Sequence, residues 1–392
     1  MEISEVRALM LSCPVEPIMD AVNFIPCREA LLVRVETDRG LIGIGEAACF
    51  GGALRTVKAI VEGELRPLLV GEDPLRIERL WDRMYSRTFQ HGRRGAVIGA
   101  ISSVDIALWD ILGQVAGLPL YRLLGGYRSQ IRAYASGGFY QEGKGPRELA
   151  QEMARYAAVG FQGVKMKVGR NPSAWIGRGA KGVLLQDQLC LVSPEEDLER
   201  VAAVREAIGQ EVELMVDANT AWRPHEAIRM VRELERYHVY WLEEPVGTDD
   251  VEGSAQVAAA THIPVAGYET ESTRYGFREL ITRGSVGVVQ ADVTWAGGIS
   301  ECQRIAALAA AYGLPFVPHA YSSAIALVAN LHLVASLPNG EWMELDRNPN
   351  PLREELITEP LGIDAQGFLP LPEGPGLGVE LDEEVIARYQ VG

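Results

Sequence analysis

Polar residues recur at nearly constant intervals along the second half of the chain, each at the end of a short apolar run. These residues are Asp217, Glu243, Glu269, Asp292, His319 and Glu344. The intervals between them are 26, 26, 23, 27 and 25 residues, about the length of one β-strand with its crossover helix. Each interval therefore advances the chain by one β/α unit and returns it to the same rim. This periodicity predicts a β/α fold in which the strand ends share one chemical site.

Eight strand candidates alternate with amphipathic helical patterns from residue 131 onward. The strand candidates are 132–136, 163–168, 212–217, 239–243, 264–268, 286–291, 314–319 and 341–345. Helical patterns between them include 147–159, 194–208, 224–237 and 300–312. Eight strands with interleaved helices predict a barrel of the TIM type, whose C-terminal rim carries the chemistry. An open doubly wound sheet is the alternative, which the lack of a glycine-rich fingerprint after an early strand weakens.

The first third of the chain has an α+β pattern. Strands are predicted at 30–37 and 41–47, and helices at 53–63, 74–88 and Ala96–Ala116. A chain of 392 residues is too long for one small core. We therefore predict two domains, with the barrel as the second.

Charge and composition exclude several classes of partner. The formal net charge is −16 at pH 7, and such a field repels nucleic acid. We expect no membrane span, since no apolar run is predicted to reach the ~20 residues that one requires. The acidic N-terminus lacks the pattern of a secretion signal. The five cysteines have no metal-ligand spacing, which predicts reduced thiols in a cytoplasmic protein.

Lys165 and Lys167 lie two residues apart in the strand candidate 163–168. Residues i and i+2 of a strand face the same side, so both ammonium groups are expected inside the barrel. Burial of an unpaired ammonium group is costly or lowers its pKa. Only five of the 37 basic residues are lysines, so lysine here indicates a need for a group that can lose its proton. An exposed edge strand, where lysine is also common, is the alternative.

Asp217, Glu243 and Glu269 end three consecutive strands. Three carboxylates on adjacent strands form an all-oxygen site that suits a hard cation, and Mg²⁺ is the ion we expect. Glu244 competes with Glu243, because alternation allows only one of two adjacent side chains to face inward. The residues alone leave that choice open.

Asp292 and His319 end neighbouring strands, and Glu344 ends the last one. A carboxylate beside an imidazole fixes its tautomer and raises its pKa, which makes a tunable acid or base. Glu344 is expected to hydrogen-bond a substrate oxygen. Any one of these residues taken alone is more often a helix cap or a solvated loop residue. The complete set at one-unit spacing is what indicates a site.

The sequence resembles the enolase superfamily, and within it the mandelate racemase subgroup, over nearly its whole length. The resemblance rests on Ser103–Asp110, Pro119–Gly126, the Lys-x-Lys strand, the six spaced residues and the tail Pro372–Gly378. It implies an N-terminal α+β capping domain over 1–128, a modified (β/α)₇β barrel over 129–355, and a C-terminal segment 356–392 that returns to the capping domain. It also favours Glu243 over Glu244 as the metal ligand.

The resemblance implies a magnesium-dependent enzyme that removes the proton next to a substrate carboxylate. Lys165 would hold the carboxylate and lower the pKa of Lys167 by like-charge repulsion. Lys167 and His319, the latter supported by Asp292, would act on opposite faces, and Glu344 would hydrogen-bond the enediolate. Mg²⁺ would offset the charge of that dianion, as is general for the superfamily.

Dehydration of an acid sugar, an aldonate or an aldarate, is the expected reaction. Racemisation or epimerisation of a 2-hydroxy acid is the alternative. A cycloisomerase is disfavoured, because those enzymes resemble another subgroup with lysine in place of His319. A non-catalytic binding or scaffold barrel is the least favoured reading, because the catalytic set is complete.

Loops of the capping domain, near 16–27 and 48–54, are expected to set specificity. Asn23, Phe24 and Asn219 are the candidate substrate contacts. The segment 171–192 is longer than the usual connection after the second barrel strand. We expect it to cover the site or to form a subunit contact in a homo-oligomer, either a dimer or an octamer.

Overall fold

Antiparallel strands form the sheet of the N-terminal part. A computed structural model describes residues 1–49, 52–171 and 189–392. In it, the strands β1 (Ile3–Met19), β2 (Phe24–Thr37) and β3 (Ile42–Ala47) pair in the order β1–β2–β3. The predicted strands correspond to β2 and β3. The edge strand β1 changes register between Pro14 and Ile18, and its prolines, which cannot donate to a ladder, conceal it in the sequence.

Helices pack with this sheet in one apolar cluster. They are α1 (Leu54–Ala59), a π-helical turn (Ile60–Leu65), α2 (Arg66–Leu69), α3 (Ile77–Thr88) and α4 (Ala96–Ala116). The short helix α5 (Leu120–Leu123) follows and packs in the apolar cluster of the barrel instead. A Cβ atom at Gly43 would lie 2.1 Å from the Ala107 carbonyl oxygen, and one at Gly45 would lie 1.9 Å from that of Ser103. Both positions therefore require glycine for α4 to touch β3.

The helix α4 is long and apolar enough to cross a membrane by length and composition alone, and no other helix among the described residues is. The expectation that no apolar run reaches this length is therefore wrong for its 21 residues. Within its most apolar stretch, 83% of the residues are buried inside the protein. That burial is typical of the core helix of a folded domain.

Parallel strands form a closed barrel in the following part of the chain. They are β4 (Gln130–Ser136), β5 (Gly163–Lys167), β6 (Glu213–Asp217), β7 (Val239–Glu243), β8 (Val265–Gly267), β9 (Val288–Val289) and β10 (Met343–Asp346). They pair in chain order, and β10 pairs with β4. Phe316 holds the seventh barrel position by bridging Val289 and Gly340. The predicted strand 314–319 is reduced to this residue, because its two prolines remove ladder donors.

Seven helices follow the first seven barrel positions in the described part of the chain. They are α6 (Pro146–Ala158), α7 (Pro194–Ile208), α8 (Pro224–Leu234), α9 (Val251–Ala259), α10 (Thr273–Thr282), α11 (Gly298–Ala311) and α12 (Ala324–Ser336). The short helix α13 (Pro351–Glu354) comes directly after β10. The prediction of a (β/α)₇β barrel with an α+β cap is confirmed.

Large side chains fill the barrel beneath its C-terminal rim. This layer consists of Tyr134, Met215, Trp241, Ala266, Val288, Val317 and Trp342. Met215 and Trp241 each precede an acidic residue by two positions, so they occupy the next layer down on the same inward face. The barrel is therefore closed below the polar residues, which face the capping side.

The C-terminal segment returns to the N-terminal part. The strand β11 (Phe368–Pro370) pairs with β4, and the helix α14 (Glu383–Tyr389) follows. The Leu377 N–H donates to Asp110 Oδ1 at 2.8 Å, and the Val391 N–H donates to the Met10 carbonyl at 2.9 Å. These contacts tie the segment to both α4 and β1.

His332 joins three segments inside the protein. It lies on α12, its Nδ1 accepts from the Tyr121 N–H at 3.2 Å, and its Nε2 lies 3.0 Å from the Leu377 carbonyl. Burial lowers the pKa of His332 from 6.5 to about 4, because the interior does not solvate the charged ring.

We expect His332 to make folding less favourable as the pH falls from about 6.5 toward 4. In that window His332 is protonated in the unfolded state but stays neutral in the folded state. This difference lowers the free energy of unfolding by up to about 3 kcal/mol. Urea unfolding of the wild type and of His332→Gln across this range measures the effect. The stability advantage of the wild type should shrink as the pH falls, and a constant difference would contradict the assignment.

Candidate active site

Lys165 and Lys167 both point into the barrel from β5. The Nζ atom of Lys165 lies 2.5 Å from Glu243 Oε1 and 2.8 Å from Glu344 Oε1. The Nζ atom of Lys167 pairs with Asp217 Oδ2. Both lysines are buried, so the two ammonium groups are held among carboxylates rather than in solvent.

The pKa of Lys167 is raised, whereas the sequence predicted that it would be lowered. Burial, the largest influence, and the positive charge of Lys165 lower this pKa, but the carboxylates of Asp217, Asp20 and Glu243 together outweigh them. For Lys165, burial is likewise outweighed by Glu243 and Glu344, which raise its pKa well above the ordinary value. The prediction is therefore wrong for this arrangement, because the charge on Asp217 holds the proton on Lys167.

Asp217 and Glu243 are partners across the β6–β7 ladder. Beside its contact with Lys165, Glu243 accepts hydrogen bonds at Oε2 from Trp241 Nε1 at 3.0 Å and from Gln290 Nε2 at 2.8 Å. Asp217 Oδ1 accepts a hydrogen bond from the Asn219 N–H at 2.8 Å. The ends of β6 and β7 therefore present buried carboxylates in fixed orientations.

Glu244 and Glu269 lie next to each other after β7 and β8. Glu244 has a positive φ of 41°, and its Oε1 accepts a hydrogen bond from the Glu269 N–H at 2.9 Å. The Glu269 Oε2 atom lies 3.2 Å from His319 Nε2. Glu243 thus faces Lys165 inside the barrel, while Glu244 holds the backbone that carries Glu269.

Asp292 orients His319. The Nδ1 atom of His319 lies 2.9 Å from Asp292 Oδ2, and Asp292 Oδ1 accepts hydrogen bonds from Thr294 Oγ1 at 2.8 Å and Asn330 Nδ2 at 3.0 Å. Burial alone would lower the pKa of His319, but Glu269 and Asp292 raise it to about 10. With Asp292 on Nδ1, the Nε2 atom is the one available for proton transfer.

Glu344 connects Lys165 to the backbone beyond His319. Its Oε1 faces Lys165, and its Oε2 accepts a hydrogen bond from the Ala320 N–H at 3.1 Å. Burial raises the pKa of Glu344, but Lys165 and His319 together lower it to about 2. An ionised carboxylate accepts hydrogen bonds and donates none. In this arrangement Glu344 positions Lys165, and its expected hydrogen bond to a substrate oxygen stays a prediction.

The corner around Asp217, Glu243 and Glu269 holds more buried negative charge than its neighbours compensate. Burial raises the pKa of Glu243 to about 7; Lys165 offsets part of the rise, while Asp217 and Glu344 add to it. Burial and Asp217 also raise the pKa of Glu269. The Oδ1 atom of Asn219 is buried nearby without a hydrogen-bond partner. Carboxylate oxygens and an unsatisfied amide oxygen are the donor types that a hard cation and its waters prefer.

These carboxylates do not, however, surround one point in this arrangement. Among the residues that the structure describes, no three acidic, histidine or cysteine side chains converge at ligating distance. Lys165 and Lys167 contact Glu243 and Asp217 instead. The donor set fits Mg²⁺ by chemistry and by position on adjacent strands, and the ligand assignment stays a prediction.

A cavity of about 610 Å³ lies at this rim between the barrel and the capping part. Its barrel side includes Lys167, Asn219, Glu269, His319 and Glu344. Its capping side includes Asn23 between β1 and β2, Phe24 at the start of β2, and Cys49 and Gly52 after β3. The predicted lid loops thus line the cavity. The three candidate substrate contacts, Asn23, Phe24 and Asn219, line it as well, and their role stays a prediction.

The predicted insertion 171–192 falls largely outside the described residues. Its first residue is held in place, since Asn171 Nδ2 donates to the Val192 carbonyl at 3.2 Å and Asn171 Oδ1 accepts from Trp222 Nε1 at 3.2 Å. The prediction that the insertion covers the site or forms a subunit contact stays a prediction.

Two supporting side chains in the barrel were not predicted. Gln290 donates to Glu243, and Asn330 donates to Asp292. Alternation could have identified Gln290, since it precedes Asp292 by two positions and shares its face. Asn330 lies on α12, 38 positions from Asp292, so no local sequence pattern predicts their contact.

Glu46 is a further supporting residue that sequence reasoning missed. It lies on β3, and its carboxylate accepts hydrogen bonds from Ser323 Oγ at 2.5 Å and from the Ala326 N–H at 2.8 Å. These groups begin α12, directly after the segment that carries His319. The capping part therefore caps a barrel helix beside the site.

Comparison with known proteins gives matches over nearly the whole chain. Residues 3–125 match the N-terminal domain of the mandelate racemase and muconate lactonizing enzyme family. Residues 148–385 match the enolase C-terminal domain-like family.

Named relatives cover the same length. The chain is 41% identical over 362 residues to an arabinonate dehydratase from Saccharolobus solfataricus. The matched region covers 92% of this chain and 91% of the relative. It is 35% identical to a D-galactarolactone cycloisomerase from Agrobacterium fabrum, over 100% of this chain and 99% of the relative. A solved racemase from Streptomyces coelicolor with bound magnesium is 32% identical, with a TM-score of 0.87 over 99% of this chain and 100% of that one.

The barrel with its α+β cap, the Lys-x-Lys strand and the acids at successive strand ends agree with these matches. Together they show that the chain belongs to the mandelate racemase and muconate lactonizing enzyme family of the enolase superfamily.

Proposed function

We propose that this protein dehydrates an acid sugar to a 2-keto-3-deoxy acid by removing the proton next to the carboxylate. The observation that carries the proposal is that Lys167, on β5, and His319, at the seventh barrel position, line one cavity from different sides of the ring. A base and an acid so arranged can take the α-proton and protonate a β-hydroxyl. The relative named arabinonate dehydratase supports this reaction class.

The side chains divide the reaction between them. Lys165 holds the substrate carboxylate. Lys167, as the neutral amine, accepts the α-proton as the C–H bond breaks; a cation held by Asp217 would offset the carboxylate charge that otherwise keeps Lys167 protonated. His319, oriented by Asp292, gives its Nε2 proton to the β-hydroxyl, the C–O bond breaks, and water leaves. The resulting enol tautomerises: its hydroxyl proton is lost, a proton is added at the neighbouring carbon, and the 2-keto group forms. Glu344 keeps the Lys165 ammonium group in place.

Asp217, Glu243 and Glu269 would hold Mg²⁺ at this site. The ion supplies positive charge that offsets the second negative charge of the enediolate. The bound magnesium of the related racemase supports this assignment.

Loss of one metal-ligand carboxylate is expected to weaken Mg²⁺ binding by at least ~10-fold. Calorimetric titration of Mg²⁺ into Glu243→Gln and Glu244→Gln compares the two adjacent candidates directly. We expect Glu243→Gln to lose affinity and Glu244→Gln to lose less, because Glu243 faces the barrel interior. The reverse order would assign the ligand to Glu244.

A panel of acid sugars tests the proposed reaction. The protein is incubated with Mg²⁺ and each aldonate or aldarate, and 2-keto-3-deoxy products are detected with semicarbazide. We expect product from at least one sugar acid of the panel. Exchange of the α-proton without a keto product would identify a racemase, and neither signal on a wide panel would favour a non-catalytic barrel.

Cycloisomerisation is a second candidate, favoured by the relative with that name. The sequence disfavoured it because His319 is present, and the present site keeps His319 as a proton donor or acceptor. Adding sugar lactones to the panel distinguishes cycloisomerisation from dehydration, because a cycloisomerase consumes a lactone without releasing water.

The proposal also includes where the protein works and how its subunits assemble. All five cysteines are free thiols, which agrees with a reducing, cytoplasmic setting. We propose a homo-oligomer, a dimer or an octamer, and light scattering of the purified protein tests it.

A further inference from the structure

Arg28 crosses from the capping part to the barrel beside the cavity. It lies on β2, where its Nη2 donates to Asp346 Oδ2 at 3.0 Å and its Nε donates to the Pro349 carbonyl at 3.2 Å. Its guanidinium carbon lies 4.3 Å from the centroid of the Tyr321 ring. Only 3% of Arg28 is exposed, so these contacts hold the guanidinium group in one orientation.

The remaining nitrogen of Arg28 is not satisfied. Its Nη1 atom is buried and has no hydrogen-bond partner. A buried charged donor without a partner is costly, and such a group in a folded protein calls for a functional reason. Arg28 lines the cavity that contains Lys167 and His319. A ligand in that cavity is therefore the partner that the fold leaves room for.

Arg353 provides a natural comparison with Arg28. Its Nη1 donates to the same oxygen, Asp346 Oδ2, at 2.9 Å. Arg353 does not line the cavity, which Arg28 does. Both arginines thus share one structural partner, and only Arg28 can also contact a ligand.

The capping side of the cavity is not built for a second anion. Among the described residues that line it there, the acidic and basic side chains are Asp20, Arg28 and Glu29. Arg28 is already paired with Asp346. Asp20 accepts hydrogen bonds from the Val22 and Asn23 N–H groups, and neither Asp20 nor Glu29 forms a salt bridge within the described part of the chain. Burial raises the pKa of Glu29, and a second anion nearby would destabilise its ionised form further. A hydroxyl group suits this lining, because it can donate to a carboxylate and accept from a guanidinium.

We propose that the substrate is a polyhydroxy monocarboxylate, an aldonate, and that Arg28 donates a hydrogen bond to a hydroxyl at the end remote from the reacting carboxylate. Dicarboxylic sugar acids, the aldarates, are disfavoured because their second carboxylate meets Asp20 and Glu29. This inference rests on the proposed dehydratase function and narrows its substrate class.

Binding of matched sugar acids tests the substrate class. The Lys167→Ala protein with Mg²⁺ is titrated calorimetrically with aldonates and with aldarates of the same carbon number and configuration. We expect the better aldonate to bind at least ~10-fold more tightly than its aldarate, the size expected for repulsion by an uncompensated charge. Equal or tighter binding of the aldarates would overturn the inference.

Kinetics of Arg28→Gln and Arg353→Gln test the role of Arg28. Both variants lose a hydrogen bond to Asp346, so any effect of that loss on KM should appear in both. We expect Arg28→Gln to raise the KM for the aldonate at least ~10-fold, with a smaller change in kcat, and Arg353→Gln to leave KM nearly unchanged. An aldonate that lacks the terminal hydroxyl should show no difference between the wild type and Arg28→Gln. Equal KM effects in the two variants would overturn the assignment.

The two levels of the proposal can fail separately. If no sugar acid yields a keto product, the dehydratase function fails, while the binding ratio of aldonate to aldarate still decides the substrate class without turnover. If Arg28→Gln does not fold, Arg28→Lys is measured, and an unchanged KM for the aldonate in that variant would overturn the role of Arg28.

Discussion

Replacement of Lys167 by alanine is expected to lower kcat by more than ~10²-fold, the usual size of a lost acid–base step. Lys167 faces the cavity and is the proposed acceptor of the α-proton. Without it, neither the dehydration nor the exchange of the α-proton with solvent should proceed. Single-turnover assays for the keto product and proton NMR in deuterated water measure the two quantities.

Lys144→Ala is the matched control for Lys167→Ala. Lys144 is also largely buried and pairs with a carboxylate, that of Glu152, but it does not line the cavity. Loss of this lysine should lower stability and leave kcat of the folded protein close to that of the wild type. Near-normal turnover by Lys167→Ala, or an equal loss in both variants, would refute the base assignment.

His319→Asn is expected to lower kcat for dehydration by more than ~10²-fold while exchange of the α-proton continues. The asparagine amide can still hydrogen-bond Asp292, but it cannot give a proton to a departing hydroxyl. Lys167 is intact in this variant, so the C–H bond can still break and re-form. The same two assays measure product and exchange.

His332→Gln is the matched control for His319→Asn, because His332 is a fully buried histidine that hydrogen-bonds the backbone of Tyr121 and Leu377. It should leave kcat unchanged in the folded protein. Loss of exchange together with dehydration in His319→Asn would give the base role to His319, and normal dehydration would remove His319 from the mechanism.

The barrel was predictable because its period is long and regular. Steps of 23 to 27 residues can be read without knowing any contact, and the inward face follows from alternation. The strand predictions were least accurate where proline interrupts the ladder, at β1 and at Phe316. Those segments keep their place in the fold through single bridges and register shifts, which no local pattern encodes.

The site was predictable only as far as strand ends determine it. The residues alone did not distinguish Glu243 from Glu244 as the candidate metal ligand. In the structure the two differ in backbone conformation, since Glu244 has a positive φ. Arg28 could not be found from the sequence, because its partners lie more than 300 positions away. The pKa of Lys167 was mispredicted because Lys165 was weighed without the closer charge of Asp217.

Proton NMR of a sugar acid in deuterated water, with the wild-type protein and Mg²⁺, tests the central claim most directly. The signal of the hydrogen next to the carboxylate should disappear while the 2-keto-3-deoxy product forms. Chelation of the metal should stop both changes, and added Mg²⁺ should restore them. Product formation that is indifferent to chelation, or retention of that hydrogen in every sugar acid tested, would contradict the account.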